Sequence, residues 1–154
     1  MKISTRSRYG LRFLIELAKH TDGNPVLLNE IARNQKISGK YLSKLVISLR
    51  GAGLIRSVRG PHGGYVLGRP PGKISLLEII DALEGERYII KCLDDYGNCP
   101  ASPICVAREV WGGLEKVMSD YCESLSLAEI VRKGPPLETR GSIVPFRRVR
   151  KTVP

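Results

Sequence analysis

Three of the chain's four cysteines, Cys92, Cys99 and Cys105, fall in one irregular stretch, "KCLDDYGNCPASPICVARE", at the spacing C-x6-C-x5-C. Thiolates act as nucleophiles, redox partners and soft metal ligands, so the grouping points to one of these chemistries. A disulfide framework is a poor expectation for a chain read as cytoplasmic. Metal is the better one. Zinc is typically gripped by closer pairs such as C-x2-C, whereas wide spacings suit the wrapping of a larger object such as an iron-sulfur cluster. Cys105 falls at the expected start of a helix, where the dipole favours the thiolate that a metal requires. Cys122 stands seventeen residues further along that helix, roughly 25 Å away, and reads as a small buried apolar residue.

A second constellation is basic. The segment "RGPHGGYVLG", Arg59 to Gly68, joins two short apolar runs through a glycine-rich turn, the pattern of a β-hairpin with Arg59 just before its tip. Ahead of it lies "KISGKYLSKLVISLRGAGL", in which Ser38 is a candidate N-cap and Leu42, Leu45, Val46 and Leu49 form one buried helical face. Gly51 or Gly53 ends that helix. A short helix over about Leu28 to Asn34 precedes it, and an amphipathic helix from Ser7 to about Thr21 opens the chain with Leu11, Leu14, Ile15 and Ala18 on one side. Two short helices joined by a tight turn and followed by a hairpin make a winged helix-turn-helix. The second helix of such a pair enters the major groove by its N-terminal residues. Here these are Gly39, Lys40, Tyr41, Ser43 and Lys44, with Ser38 at the cap. The wing would bring Arg59, Gly60, Pro61 and His62 to the duplex, the arginine into a minor groove. Arg6, Arg8 and Arg12 lie near the start of the first helix, against the macrodipole, so an external anion would relieve them.

Charge agrees with that division. Residues 1–64 hold 12 Lys/Arg against 3 Asp/Glu, a net of +9; residues 65–131 carry a net of −5, and residues 132–154 a net of +6. A phosphate backbone attracts the first part and repels the second. With 154 residues there is room for one core, or for one small domain with an attached element. The expected organisation is a DNA-binding domain over 1–70, a cysteine loop with dimerisation helices over 71–133, and a basic, proline-rich, disordered tail over 134–154. Residues 69–74, "RPPGKI", read as a linker. Ser75 with Glu78 and Ser126 with Glu129 read as capping boxes opening two short helices, the first closed by Gly85.

Between them a long helix from about Cys105 to Ser124 carries two apolar stripes. One runs through Ala107, Val110, Leu114, Val117 and Tyr121, the other through Trp111, Met118, Cys122 and Leu125. Two stripes imply two partners, the chain's own core and a second copy, so a homodimer is expected. No stretch approaches the roughly 18 consecutive apolar residues of a membrane span, and the opening "MKISTRSRYG" has no secretory apolar core. A cytoplasmic protein without a membrane partner is the expectation. No nucleophile-base set, P-loop or dinucleotide fingerprint is visible, so an enzyme is not expected.

The opening "MKISTRSRYGLR", the helix "ISGKYLSKLVISLRGAGLI", the wing "SVRGPHGGYVLG" and the segment "CLDDYGNCPASPIC" together resemble the IscR/NsrR family of winged-helix transcription regulators. The resemblance covers residues 1 to about 133. It implies a mainly α fold with a small β-wing, a homodimer on double-stranded DNA, and an iron-sulfur cluster, 2Fe-2S in preference to 4Fe-4S, held by Cys92, Cys99 and Cys105. Such a regulator would sense cluster status, redox state or nitric oxide. Family members complete the cluster with a histidine three residues after the third cysteine or with an acidic residue near the N-terminus. This chain has Arg108 and Arg8 in those places. The fourth ligand is therefore open: Glu109 is nearest in sequence, followed by Asp94 or Asp95, a partner's Glu16, or an exogenous thiol. His20 and His62 are poor choices. Some relatives carry no cluster and answer to a protein or a small molecule, which is the alternative reading. An iron-sulfur electron carrier would leave the basic wing without a use, and a zinc-stabilised module would lack the brown colour and sulfide of a cluster.

Overall fold

The structure, a computed structural model, describes residues 3–20, 23–85, 93 and 99–134. Helix α1 spans Thr5–Lys19 and begins two residues before the expected Ser7, because Ser4 caps it: its Oγ accepts from the backbone N–H groups of Arg6 and Ser7 at 3.0 and 3.3 Å. Such a cap is worth about 1 kcal/mol. The inner face centres on Phe13, Leu14, Leu17 and Ala18, all buried, while Leu11 and Ile15 are half-covered at its margins. An anion of the chain itself also stands at this helix start. The carboxylate of Glu84, eighty residues away, accepts from the Ser4 backbone N–H at 3.3 Å and from the Ser7 hydroxyl. Burial would raise the Glu84 pKa, but these bonds from Ser4 and Ser7, with the Arg6 charge, outweigh it and hold the carboxyl below its usual range.

Helix α2 (Leu28–Gln35) and helix α3 (Gly39–Gly51) follow, and strands β1 (Ile55–Val58) and β2 (Gly64–Leu67) form an antiparallel hairpin in the register Ile55↔Leu67 to Val58↔Gly64. β2 is pinned on its other edge by an isolated bridge, with Val26 and Tyr65 exchanging backbone bonds at 3.0 and 2.9 Å. Tyr65 also meets Phe13 edge-on, with ring centroids 6.1 Å apart. The wing is thereby tied to α1 and to the entry of α2.

Residues 69–74, expected as a linker, are instead a packed corner. Pro71–Lys73 make one 3-10 turn, Ile74 is fully buried, and Arg69 pairs with Glu78. Helix α4 (Leu76–Glu84) then starts on the expected capping box of Ser75 and Glu78, and Gly85 ends it at φ +80°. Helix α5 (Val106–Ser124) runs about 28 Å. Helix α6 (Leu127–Arg132) opens on the second capping box, Ser126 with Glu129. The two boxes stand back to back. Ser75 bridges Ser126, Leu76 N–H donates to Leu125 O, and Leu127 N–H donates to Ile74 O, the last two at 2.8 Å.

One core results. Ile74, Ile79, Leu83 and Leu127 join Phe13, Leu14, Ile31, Leu42, Leu49, Leu54 and Ile55 in a single buried cluster. At the α1–α4 contact Gly10 has no side chain because Leu83 occupies the place of its Cβ. The architecture is a mainly α fold with a two-stranded β-wing and one long helix, as the sequence implies. No helix among the described residues is long and apolar enough to cross a membrane. Cys92, Asp94, Asp95 and the tail 135–154 lie outside the described residues.

Candidate nucleic-acid interface and cysteine segment

The turn between α2 and α3 is made by Lys36, which takes the left-handed conformation at φ 52° and ψ 47°. A non-glycine residue costs about 1 to 2 kcal/mol there. The cost is offset locally: Ile37 is buried, and its N–H donates to Ala32 O at 3.0 Å. Below the turn, the Glu16 carboxylate is buried at 5% exposure and accepts from Asn34 Nδ2 at 2.9 Å and Gln35 Nε2 at 2.7 Å, with Lys19 Nζ at 3.8 Å. Arg12 Nε donates to Gln35 Oε1 at 3.0 Å, and its Nη2 to the Gln35 carbonyl. This polar net locks α2 to α1 and fixes the angle at which α3 leaves the turn. Buried ionised groups persist only when paired in this way.

α3 buries Leu42, Leu45, Val46 and Leu49, as its spacing requires, and turns Lys40, Ser43, Lys44 and Ile47 outward. Ser38 occupies the N-cap position, but its side chain makes no cap bond. The Ser43 hydroxyl donates to Gly39 O at 2.9 Å, and its exposed oxygen keeps its capacity to accept. Tyr41 is half-buried against Tyr9, ring edge to ring face, with centroids 5.7 Å apart. Arg8 lies over the same Tyr9 ring at 5.7 Å and Arg12 at 5.5 Å. Arg8, expected from the sequence to meet an external anion, is exposed and is joined through Tyr9 to the leading turn of α3.

At the wing, Arg59, Gly60, Pro61 and His62 are all exposed. Gly60 at φ +117° and Gly64 at φ +155° turn the chain through conformations that side chains rarely adopt, and Gly63 N–H donates to Gly60 O at 2.9 Å. A Cβ on Gly64 would meet the Val26 carbonyl oxygen at 2.5 Å, so glycine there also permits the bridge that anchors the wing.

In the cysteine segment, Cys105 is the N-cap residue of α5 and Cys99 lies just ahead of a 3-10 turn, Ser102–Ile104. Both thiols are half-buried. Cys92, the third expected donor, lies outside the described residues. Among the described residues no group of three His, Cys, Asp or Glu is placed to hold a metal. Glu109 is exposed in the first turn of α5, one turn past Cys105. Glu16 is removed from the fourth-ligand candidates, because its carboxylate is engaged in the α1–α2 net. His62 is at the wing tip and His20 at the far end of α1. Cys122 is half-buried, and burial, with the Asp81 charge adding, pushes its thiol pKa up, in keeping with a packing role.

Four features escaped the sequence reading: the Lys36 turn, the Glu16 net, the Glu84 cap and the outward Ile47. Only the last had a legible signal. The spacing that puts Leu42, Leu45, Val46 and Leu49 inside leaves residue 47 on the opposite side.

The Rrf2 family model, described as an iron-dependent transcriptional regulator, matches residues 3–133. The protein rrf2 of Nitratidesulfovibrio vulgaris is 39% identical over 132 residues, 86% of this chain and 88% of its own length. The solved structure of CymR, the global cysteine regulator of Bacillus subtilis, superposes with a TM-score of 0.73 at 40% identity, over 88% of this chain and 99% of CymR. IscR of T. potens does so with a TM-score of 0.70 at 34% identity, over 86% and 87%. CymR of Bacillus subtilis, 41% identical over 130 residues, is named an HTH-type transcriptional regulator. The chain belongs to the Rrf2 family of transcriptional regulators and is a DNA-binding regulator with a winged helix-turn-helix.

Proposed function

We propose that the protein binds a palindromic duplex as a homodimer, with α3 leading in the major groove and the wing in the adjacent minor groove. The observation that carries this reading is the outward face of α3, where Ser43 and Lys44 follow Lys40 by one helical turn and all three are exposed. Ser38 and Tyr41 frame its start, and Arg8 with Arg59, Gly60, Pro61 and His62 extend the contact to phosphates and minor groove. Residues 1–70 carry the DNA contact and residues 71–133 the pairing of subunits. In support of a second copy, no residue of α5 is buried, and Val110, Val117 and Tyr121 are 62%, 66% and 61% exposed. The test is affinity selection from random duplexes with the full chain, followed by titration against salt; failure to enrich any inverted repeat contradicts the reading.

The signal has two forms. In the one the relatives favour, the regulator carries no cluster and answers to a protein or a small molecule, in keeping with its likeness to CymR. A cleft of about 340 Å³ between the end of α1 and the wing, lined by Leu17, His20, Arg56, Leu67 and Arg69, offers apolar walls and cations to such a molecule. In the other, Cys92, Cys99 and Cys105 hold an iron-sulfur cluster with Glu109 as fourth ligand. Three thiols at wide spacing, the iron-dependent description of the family model and the likeness to IscR support it. A cluster would supply redox and nitric oxide chemistry; this chain's own part is to hold it by those thiolates and so favour one of two conformations. Anaerobic purification with iron and sulfide analysis separates the forms. Cluster binding predicts a brown protein whose colour is lost in Cys99→Ala and kept in Cys122→Ala. A colourless, iron-free protein that still binds its operator establishes the cluster-free form.

A further inference from the structure

Ile47 lies at the centre of the outward face of α3. It is 66% exposed, and its neighbours on that face, Lys40, Ser43, Lys44 and Arg50, are polar or cationic. Positions 40, 43, 44 and 47 are related as i, i+3, i+4 and i+7, the spacing by which a recognition helix presents side chains along a groove. A β-branched residue at an exposed helical position lowers helix propensity relative to Lys or Glu and makes no hydrogen bond. It gains nothing inside this fold. Its χ1 is stiff, however, so the side chain is held ready for an apolar partner without ordering cost. The cations around it, and the excess of basic residues over 1–64, select a polyanion as that partner in preference to another protein surface. In the major groove the apolar group that distinguishes one base pair from another is the thymine C5-methyl.

We propose that Ile47 is a specificity-determining residue that reads a thymine methyl in each half-site, one helical turn beyond the bases or phosphates met by Lys40, Ser43 and Lys44. The assignment rests on the major-groove placement of α3.

The test removes one methyl group at a time. The site enriched by the full chain from random duplexes is resynthesised with each thymine in turn replaced by deoxyuridine, which deletes the C5-methyl and keeps every hydrogen-bonding group. Wild type is expected to lose about fourfold in affinity for one symmetry-related thymine per half-site, the worth of one buried methyl group. Ile47→Ala should bind the thymine site with a similar loss and be indifferent to deoxyuridine there, so that the two changes are not additive; Ile47→Val should keep part of the discrimination. Because the side chain is exposed, circular dichroism of Ile47→Ala should match wild type. A site whose affinity ignores deoxyuridine at every thymine overturns the proposal, as does an Ile47→Ala protein that discriminates as wild type does. A change in sedimentation with no change in discrimination makes Ile47 a protein contact and also overturns it. Enrichment of no sequence at all overturns the DNA placement of α3 together with this inference.

Discussion

The winged head and the long helix α5 are built on opposite terms. In the head, α1 to α4 with the wing and α6 seal eleven large side chains to below 2% exposure, among them Phe13, Leu42, Ile79 and Leu127. α5 buries none of its nineteen residues and shows Val106, Val110, Leu114, Val117 and Tyr121 to solvent. Both regions are rich in apolar residues, and the difference lies in where the partners are. The head finds them within the chain; among the described residues α5 finds too few to bury either stripe, the exposed apolar surface that the proposed pairing of subunits would cover.

Substitutions sharpen this contrast. Phe13→Ala, at the centre of the head, should cost about 3 to 5 kcal/mol in urea unfolding. Val117→Ala removes methyl groups from a solvent-facing side chain, so unfolding of a monomeric background should move by no more than about 0.5 kcal/mol. If α5 pairs subunits, the double change Leu114→Asp with Val117→Asp should give a folded monomer in sedimentation. Affinity for a palindromic duplex should then fall by about 10² to 10⁴, the loss of linked binding. A dimer that survives that change places the interface elsewhere. On the basic side, Arg59→Ala should weaken operator binding by about 1 to 3 kcal/mol with the fold intact, measured by fluorescence anisotropy.

Smaller effects test how the head closes on itself. Ser126→Ala, which removes a cap without touching the core, should lower stability by about 1 kcal/mol. Glu78 and Glu84 supply a pH term. In Glu78 burial raises the pKa, but Ser75 and Arg69 outweigh it; in Glu84 the bonds from Ser4 and Ser7 do the same, so both folded values lie below the ordinary 4.5. A lowered folded value stabilises the protein above the unfolded value and is lost as pH falls through the folded one. Thermal stability should therefore be level above about pH 5 and decline below 4.5, and the decline should be shallower in Glu84→Gln, followed by melting temperature against pH.

Much of the head was legible because its signals are local. Both capping boxes, the wing turn and the inner face of α3 are written within a few residues, and each forms where its residues stand. What escaped reading depends on residues far apart in the chain. Nothing near Ser4 announces that Glu84 will cap it, and nothing in "RPPGKI" shows that Ile74 will be sealed by α6. The Lys36 turn was hidden for another reason: the pull of buried Ile37 and of the Glu16 net overrides the local preference for glycine. At the interface, the exposed lysines and wing residues were legible by subtraction from the buried faces. Tyr41 was only half so, since its packing on Tyr9 needs α1 and α3 to meet.

The central claim is that the outward face of α3 meets nucleic acid phosphates and bases. The most direct measurement is operator affinity against salt for wild type and for Lys44→Ala, with the far-ultraviolet spectrum as a check on folding. The logarithm of the binding constant should fall linearly with the logarithm of salt concentration. Lys44→Ala should reduce that slope by about 1 for each subunit bound. A wild-type slope near zero, or an unchanged slope in a folded Lys44→Ala protein, would contradict the placement of α3.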